Sequence, residues 1–275
     1  MRVRHALLLL VFIANAYGAN EGFAESGGYL NTVGLDERPG QFIPADLTFR
    51  DEKGDTVALK SLIDKPVVLI LTYYTCSHIC PQMLGGLAGA LNKLPLKPGK
   101  DYGLITLSFD ESDTPEDARS QKANYIKATD MPFPEDAWKF LTGEVNNIRR
   151  LSEAVGIRVK RADHGFAHPE VLVFVAPGGM ITRYLPVSKY HYGVAYPVTF
   201  SEVDLAAGIR EASQGKVSAG TKKEPLYCFL HEPEQQKRFF SILRISGALT
   251  LGLLLSLFFF LRKGKGSAGR SRDGG

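Results

Sequence analysis

Residues 66–91 read PVVLILTYYTCSHICPQMLGGLAGAL. Val67 to Leu71 is an unbroken apolar run, partly β-branched, the pattern of a strand buried on both faces in a sheet covered by helices. The run ends at Thr72 to Thr75, and Cys76 and Cys80 follow. If a helix begins near Ser77, the two sulfurs lie on one face about one turn apart. Pro81 suits the first turn of that helix, and the small apolar residues after it can pack closely on a sheet. Backbone N–H groups and the positive end of the helix dipole then face the sulfurs, which favours thiolate over thiol. Three residues separate the cysteines, Ser77, His78 and Ile79, one more than in the two-residue redox motif. The wider bite suits two thiolates holding one soft ion. A structural disulfide and an inert place in the core are the other roles open to such a pair.

Toward the N-terminus, residues 1–24 carry Arg2 and Arg4, a short apolar core from Ala6 to Ile13, and small residues at Ala16, Gly18 and Ala24. This is the pattern of a secretory signal peptide, since eight apolar residues are too few to cross a bilayer. Export places the cysteines in an oxidising compartment, where a dithiol needs a metal or a reductant to stay reduced. Residues 25–40 are Gly-rich and polar and read as a linker.

A globular domain is expected over 41–212, ample for one core. Leu47 to Arg50 and Thr56 to Leu59 flank the turn Asp51 to Asp55 as a hairpin. Gly103 to Phe109 is a second buried strand. Thr114 caps a helix with Pro115 at its first position and Asp117 nearby, ending near Lys127. Asp110 and Asp113 are read as turn and cap residues in preference to metal carboxylates. Trp138 to Thr142 is a short strand with Trp138 in the core. Glu144 to Val155 has apolar residues at 145, 148, 151 and 155, which is helical spacing closed by Gly156. Val171 to Ala176 and Met180 to Leu185 flank Pro177, Gly178 and Gly179 as a hairpin. Val203 to Ala212 closes the domain as a helix. Strands alternating with helices, followed by a hairpin and a last helix, predict an α/β fold whose sheet has a mixed edge.

His164 and His168 stand just before that hairpin, in RADHGFAHPEVLVFVAPGG. Two thiolates and one imidazole make a three-coordinate set acceptable to Cu(I) and Cu(II) alike. The combination of YTCSHICP, SFDESDTPED and a histidine nine residues before the hairpin proline resembles the SCO/SenC/PrrC family, over about residues 40 to 212. That resemblance implies a thioredoxin-like fold, with a central mixed β-sheet flanked by helices, and a copper chaperone serving assembly of cytochrome c oxidase. Carried across residue by residue, it implies that Cys76 and Cys80 are the copper-binding CxxxC pair and His168 the copper-binding histidine. His164 lacks the spacing to Pro177 and is read as a loop residue. His78, between the cysteines, is read as exposed.

The anchor departs from the resemblance. Many family members are held by an N-terminal helix, whereas here residues 213–241 form a linker and juxtamembrane segment before a charge-free, largely apolar run, Ile245 to Leu261. Extended back to Ile242, with Arg244 snorkelling, residues 242–261 reach the length of a transmembrane helix. Residues 262–275 then hold Arg262, Lys263, Lys265, Arg270 and Arg272 against Asp273, which predicts a cytoplasmic C-terminus and an extracytoplasmic domain on the cell membrane. That tail carries a net +4, equal to the formal +4 of the whole chain, so the remainder is neutral. Nothing in the charge points to nucleic acid. Cys228 and His231, three apart before the apolar run, are read mainly as interfacial residues and alternatively as an auxiliary copper pair.

The expected activity is binding and transfer of copper, without catalytic turnover, to the copper-bearing subunit of the oxidase. Other copper carriers or thiol reductants are expected as further partners. The enzymatic alternative is a thiol-disulfide oxidoreductase that keeps the oxidase's copper-site cysteines reduced. It uses the same Cys76 and Cys80 and has no need of His168. A membrane-bound redox or copper sensor is a weaker reading, because the tail has no room for a signalling domain.

Overall fold

The computed structural model describes residues 33–77, 79–162, 165–187, 198–218, 226–228, 244–247 and 249–257. Val67–Thr72 forms strand β4, buried at every position. Its side chains alternate between two clusters, Val68 and Ile70 in one and Val67, Leu69 and Leu71 in the other. Period-two alternation with both faces covered is what a central strand between two helical layers requires.

Before β4 come β1 (Gly34–Leu35), β2 (Thr48–Arg50) and β3 (Thr56–Ala58). Strands β2 and β3 pair antiparallel as the expected hairpin. After it come helix α1 (Ile79–Leu91), β5 (Gly103–Ser108), helix α2 (Pro115–Lys127), β6 (Trp138–Leu141) and helix α3 (Val145–Ala154). Strands β7 (Ile157–Arg158), β8 (Lys160–Ala162), β9 (Gly165–Val175) and β10 (Ile181–Pro186) follow, then helix α4 (Glu202–Ser213) and β11 (Leu226–Cys228).

The main sheet has the order β10-β9-β4-β5-β6. Strands β4, β5 and β6 run parallel, as helical crossovers require, and β9 and β10 run antiparallel to their neighbours. The sheet is therefore mixed, with the antiparallel hairpin at one edge. One core cluster gathers Met83, Leu84, Leu87, Trp138, Phe140, Phe174, Leu205 and Ile209. The other gathers Leu47, Phe49, Ile105, Leu107, Leu151, Val173 and Tyr184. Trp138 is fully buried and its indole N–H donates to Thr106 Oγ1 at 2.9 Å.

Local signals account for the helix ends that matter. Thr114 and Asp117 form a reciprocal capping box with Pro115 in the first turn of α2, as expected. Gly156, at φ +67°, follows α3, and a Cβ there would fall 1.8 Å from the Asp36 carbonyl oxygen.

Ordered pairing reaches past both expected limits, 41 and 212. Gly34–Leu35 pairs with β7, and Leu226–Cys228 pairs with β9, so short stretches of the two expected linkers are held by ladder hydrogen bonds. By contacts, the chain divides into a unit over Met1–Phe229 and a second over Leu230–Gly275. In the second, residues 244–247 and 249–257 are helical. Among the described residues no helix is long and apolar enough to cross a membrane. The ends of the expected span 242–261, the leader 1–24 and the basic tail lie outside the described residues.

Candidate metal centre

Strand β4 ends at Thr72, and the chain turns through Tyr73 and Tyr74 toward Cys76. The Tyr74 N–H donates to Asp113 Oδ2 at 2.7 Å, and the Tyr74 carbonyl accepts from Gln121 Nε2 at 2.8 Å. Ser108 Oγ donates to the same Asp113 oxygen at 2.6 Å. Asp110 is used in its own turn, where Oδ1 accepts from the Ser112 N–H and hydroxyl. Both aspartates therefore do turn and anchoring work. Burial pushes the Asp113 carboxyl up, against the two hydrogen bonds that favour its charged form.

Cys80 stands in the first turn of α1, which begins two residues later than the spacing predicts. Cys76 and Cys80 are 7% and 3% exposed and are not joined in a disulfide. Opposite them, β9 presents His168 and Glu170, two residues apart on one side of a strand and both 0% exposed. Cys80 Sγ lies 3.8 Å from His168 Nε2 and 3.8 Å from Glu170 Oε1, and those two atoms are 3.3 Å apart. The other imidazole nitrogen, Nδ1, faces the Pro169 carbonyl oxygen at 3.3 Å. Donation to that carbonyl leaves the Nε2 lone pair directed at the thiol and the carboxyl.

Electrostatics follow from burial. Loss of water drives the His168 imidazole down to about 4, opposed by the nearby Cys76 and the Pro169 carbonyl. The same loss, reinforced by Cys76, pushes the Glu170 carboxyl well up, while Cys80 opposes it. The 3.3 Å His168–Glu170 contact has ion-pair distance, yet loss of water at both groups favours the neutral pair over the ionised one. A neutral imidazole has a lone pair to give to a metal. The ring is walled by Phe109, with centroids 4.8 Å apart, and by Tyr73 at 6.0 Å, and Phe166 packs on both. The Arg161 guanidinium caps Phe166 at 4.4 Å and pairs with Asp110 and Glu111.

Among the described residues one group of three candidate ligands has all its donor atoms within 4.8 Å of one another: Cys80, His168 and Glu170. Two sequence-predicted residues, Cys80 and His168, are thus brought together from positions 88 apart. Cys76 stands outside the tight group but near enough for its charge to act on both His168 and Glu170. His78, His164 and His231 lie outside the described residues. For Cys228 the backbone gives its register: it stands opposite His168, and Leu226 stands opposite Glu170. Glu170 is the residue that pattern reading passes over. Its signal is an acid two places after a candidate ligand, at the head of the otherwise apolar EVLVFV. A sulfur, an imidazole nitrogen and a carboxyl oxygen, enclosed by aromatic rings, form a set suited to a transition-metal ion of soft or borderline character.

A family model described as SCO1/SenC matches residues 36–196, more than half of the chain. The chain is similar to an SCO1 protein homolog of Bacillus subtilis (strain 168), 26% identical over 141 residues, which covers 50% of this chain and 69% of the relative. It also resembles two crystal structures from Aquifex aeolicus VF5, of proteins assigned provisionally to electron transfer and electron transport. Both are 28% identical and cover 64% of this chain, with TM-scores of 0.55 and 0.52 over 95% and 99% of those chains.

Proposed function

Because this chain belongs to the SCO1/SenC family, we propose that it binds copper through Cys76, Cys80 and His168 and passes it to the copper-bearing subunit of cytochrome c oxidase during assembly. The observation that carries the reading is the approach of Cys80 Sγ to His168 Nε2, 3.8 Å apart in a buried, aromatic-walled site. Thiolates supply the soft donors that hold Cu(I), and the imidazole extends the set to Cu(II). Transfer proceeds by ligand exchange: a thiol of the acceptor takes the place of one of this chain's thiolates, and no covalent turnover of the protein is needed. A dithiol oxidoreductase has no use for a buried, neutral imidazole beside its cysteines, which is why transfer is preferred to reduction.

In this reading residues 1–24 direct export, 41–212 form the body of the copper-binding domain, and 242–261 anchor the chain in the cell membrane. The domain faces the extracytoplasmic side and the basic tail 262–275 faces the cytoplasm.

Copper titration of the full chain in detergent tests the proposal. The reduced protein is expected to take up about one equivalent, and the Cys76–Cys80 disulfide form to lose it, because a disulfide sulfur is a poor ligand. His168→Ala is expected to weaken Cu(II) more than Cu(I). Equal uptake by reduced and oxidised protein would refute the dithiolate site.

A further inference from the structure

Four features stand outside the proposed copper set: the open hollow near Ser61, Lys100 and Lys139, the buried Glu52–Lys122 pair, the Arg161 cluster, and Glu170. The first is lined by solvated charges, and the next two are spent on neighbouring groups. Glu170 is different. Its side chain is fully buried, it extends from the same strand as His168, and its Oε2 has no hydrogen-bond partner. A carboxyl group enclosed in this way, with one oxygen unsatisfied, is costly to keep unless something uses it.

We infer that Glu170 is a further copper ligand, a carboxylate oxygen that completes the sulfur and nitrogen donors and biases the centre toward Cu(II). This deepens the copper reading above and rests on it.

The geometry supports direct ligation. Cys80 Sγ, His168 Nε2 and Glu170 Oε1 form a triangle with sides of 3.8, 3.8 and 3.3 Å. The point equidistant from its corners lies about 2.1 Å from each, within a few tenths of an ångström of the lengths of metal–thiolate, metal–imidazole and metal–carboxylate bonds. A group of merely structural purpose does not need to hold its oxygen at bonding distance from the point that the sulfur and the nitrogen share. The pleat supplies the reason: residues 168 and 170 share a side of β9, so a ligand at one places the other beside the same ion. Cys76, the other thiol of the proposed copper set, stands outside this triangle and would supply the fourth donor.

The ligand type then sets the oxidation state. A carboxylate is a hard donor that adds little to a Cu(I)–dithiolate but strengthens Cu(II). Two thiolates and one carboxylate also leave less uncompensated negative charge with Cu(II) than with Cu(I), which favours Cu(II) in a site without water.

The test uses the full chain in detergent, reduced and then loaded with Cu(I) or Cu(II), as wild type and as Glu170→Gln, whose side chain keeps the shape and loses the charge. Competition titrations are expected to show Cu(II) binding weakened at least about tenfold in the variant, with Cu(I) binding held within about threefold. The copper hyperfine splitting of the Cu(II) protein is expected to change between the two. Unchanged Cu(II) affinity and spectrum would overturn Glu170 as a ligand while leaving the copper centre standing. An equal loss of both ions would also overturn it, since it would mark damage to the fold. Failure of the wild type to bind either ion would overturn the copper reading itself and this inference with it. One measurement is independent of any variant: pulsed EPR of the wild-type Cu(II) protein in D2O. A directly bound exchangeable water in the position assigned to the carboxylate would refute the inference.

Discussion

Replacing Asp113 by alanine is expected to loosen the thiol-bearing turn as well as the fold. The wild-type carboxylate is 7% exposed and its Oδ2 accepts from the Tyr74 N–H at 2.7 Å and from Ser108 Oγ at 2.6 Å. Hydrogen bonds to a charged acceptor contribute about 1.5–3 kcal/mol each, which gives roughly 3–6 kcal/mol for the pair. Burial that raises the Asp113 carboxyl opposes them, so the lower end, about 3 kcal/mol, is the expected loss. For a folded unit of this size that is a fall in Tm of roughly 6–12 °C. Asp113→Asn keeps an oxygen in place and should lose far less. The pH dependence has a definite sign. A carboxyl raised in the folded state binds its proton more tightly there than in the unfolded chain. Its contribution is full below the ordinary 3.8 and is lost as pH rises through the folded value. Wild type should therefore gain on Asp113→Asn as pH falls toward about 4. Urea unfolding across that range measures the difference, and the reaction of Cys76 with a thiol reagent, expected to quicken in Asp113→Ala, reports on the turn. A loss in Asp113→Ala within about 0.5 kcal/mol, the range of ordinary surface changes, would refute the anchoring argument.

Two further outcomes are expected. Alanine at two helical glycines should act in opposite directions: Gly208→Ala sets a Cβ 2.5 Å from the buried Phe174 ring and should cost about 1–2 kcal/mol after the gain in helix propensity. Gly89→Ala, exposed on α1 with nothing within 4 Å of the new methyl, should gain up to about 1 kcal/mol, and denaturant titration of both reads the signs. Truncation of the chain before residue 242 should move the protein from the carbonate-washed membrane pellet to the soluble fraction; if it stayed in the pellet, 242–261 would not be the anchor.

Much of the fold could be read from local chemistry. The apolar run 67–71 named the central strand because burial on both faces leaves no polar alternation. Thr114, Pro115 and Asp117 named the start of α2 because the Thr114 and Asp117 side chains each accept from an otherwise unpaired N–H and Pro115 has no N–H to leave unpaired. The hairpin was legible from Gly178 and Gly179, which adopt φ of +85° and +100°. Its first strand was not: the pattern suggests a start at Val171, whereas β9 begins at Gly165. Residues 165–170 have no alternation of their own and become strand because β8 and β11 pair with them. That extension carries the imidazole and the carboxyl of the site. Two-residue strands such as β1 and β7 leave too short a trace for any periodicity. The two cysteines could be singled out by residue type and spacing and His168 by the family resemblance, but Glu170 could not, since only the tertiary approach of α1 to β9 shows that an acid sits beside a sulfur.

The long strand β9 is laddered along its whole length, to β8 at 165–167, to β11 at 168–170, and to β10 over 171–175 with β4 beside it. Cys76, by contrast, sits in a turn, and Cys80 in a helix's first turn, where backbone hydrogen bonds are fewest. Opening free energies within one molecule follow such differences. The imidazole and carboxyl are bound to the fate of the sheet core, and their amides should exchange slowly with solvent hydrogen. The thiols are bound only to the fate of a turn. A fluctuation that exposes sulfur while nitrogen stays buried therefore costs less than the reverse, and the protein can let go of an ion from one side while still holding it from the other.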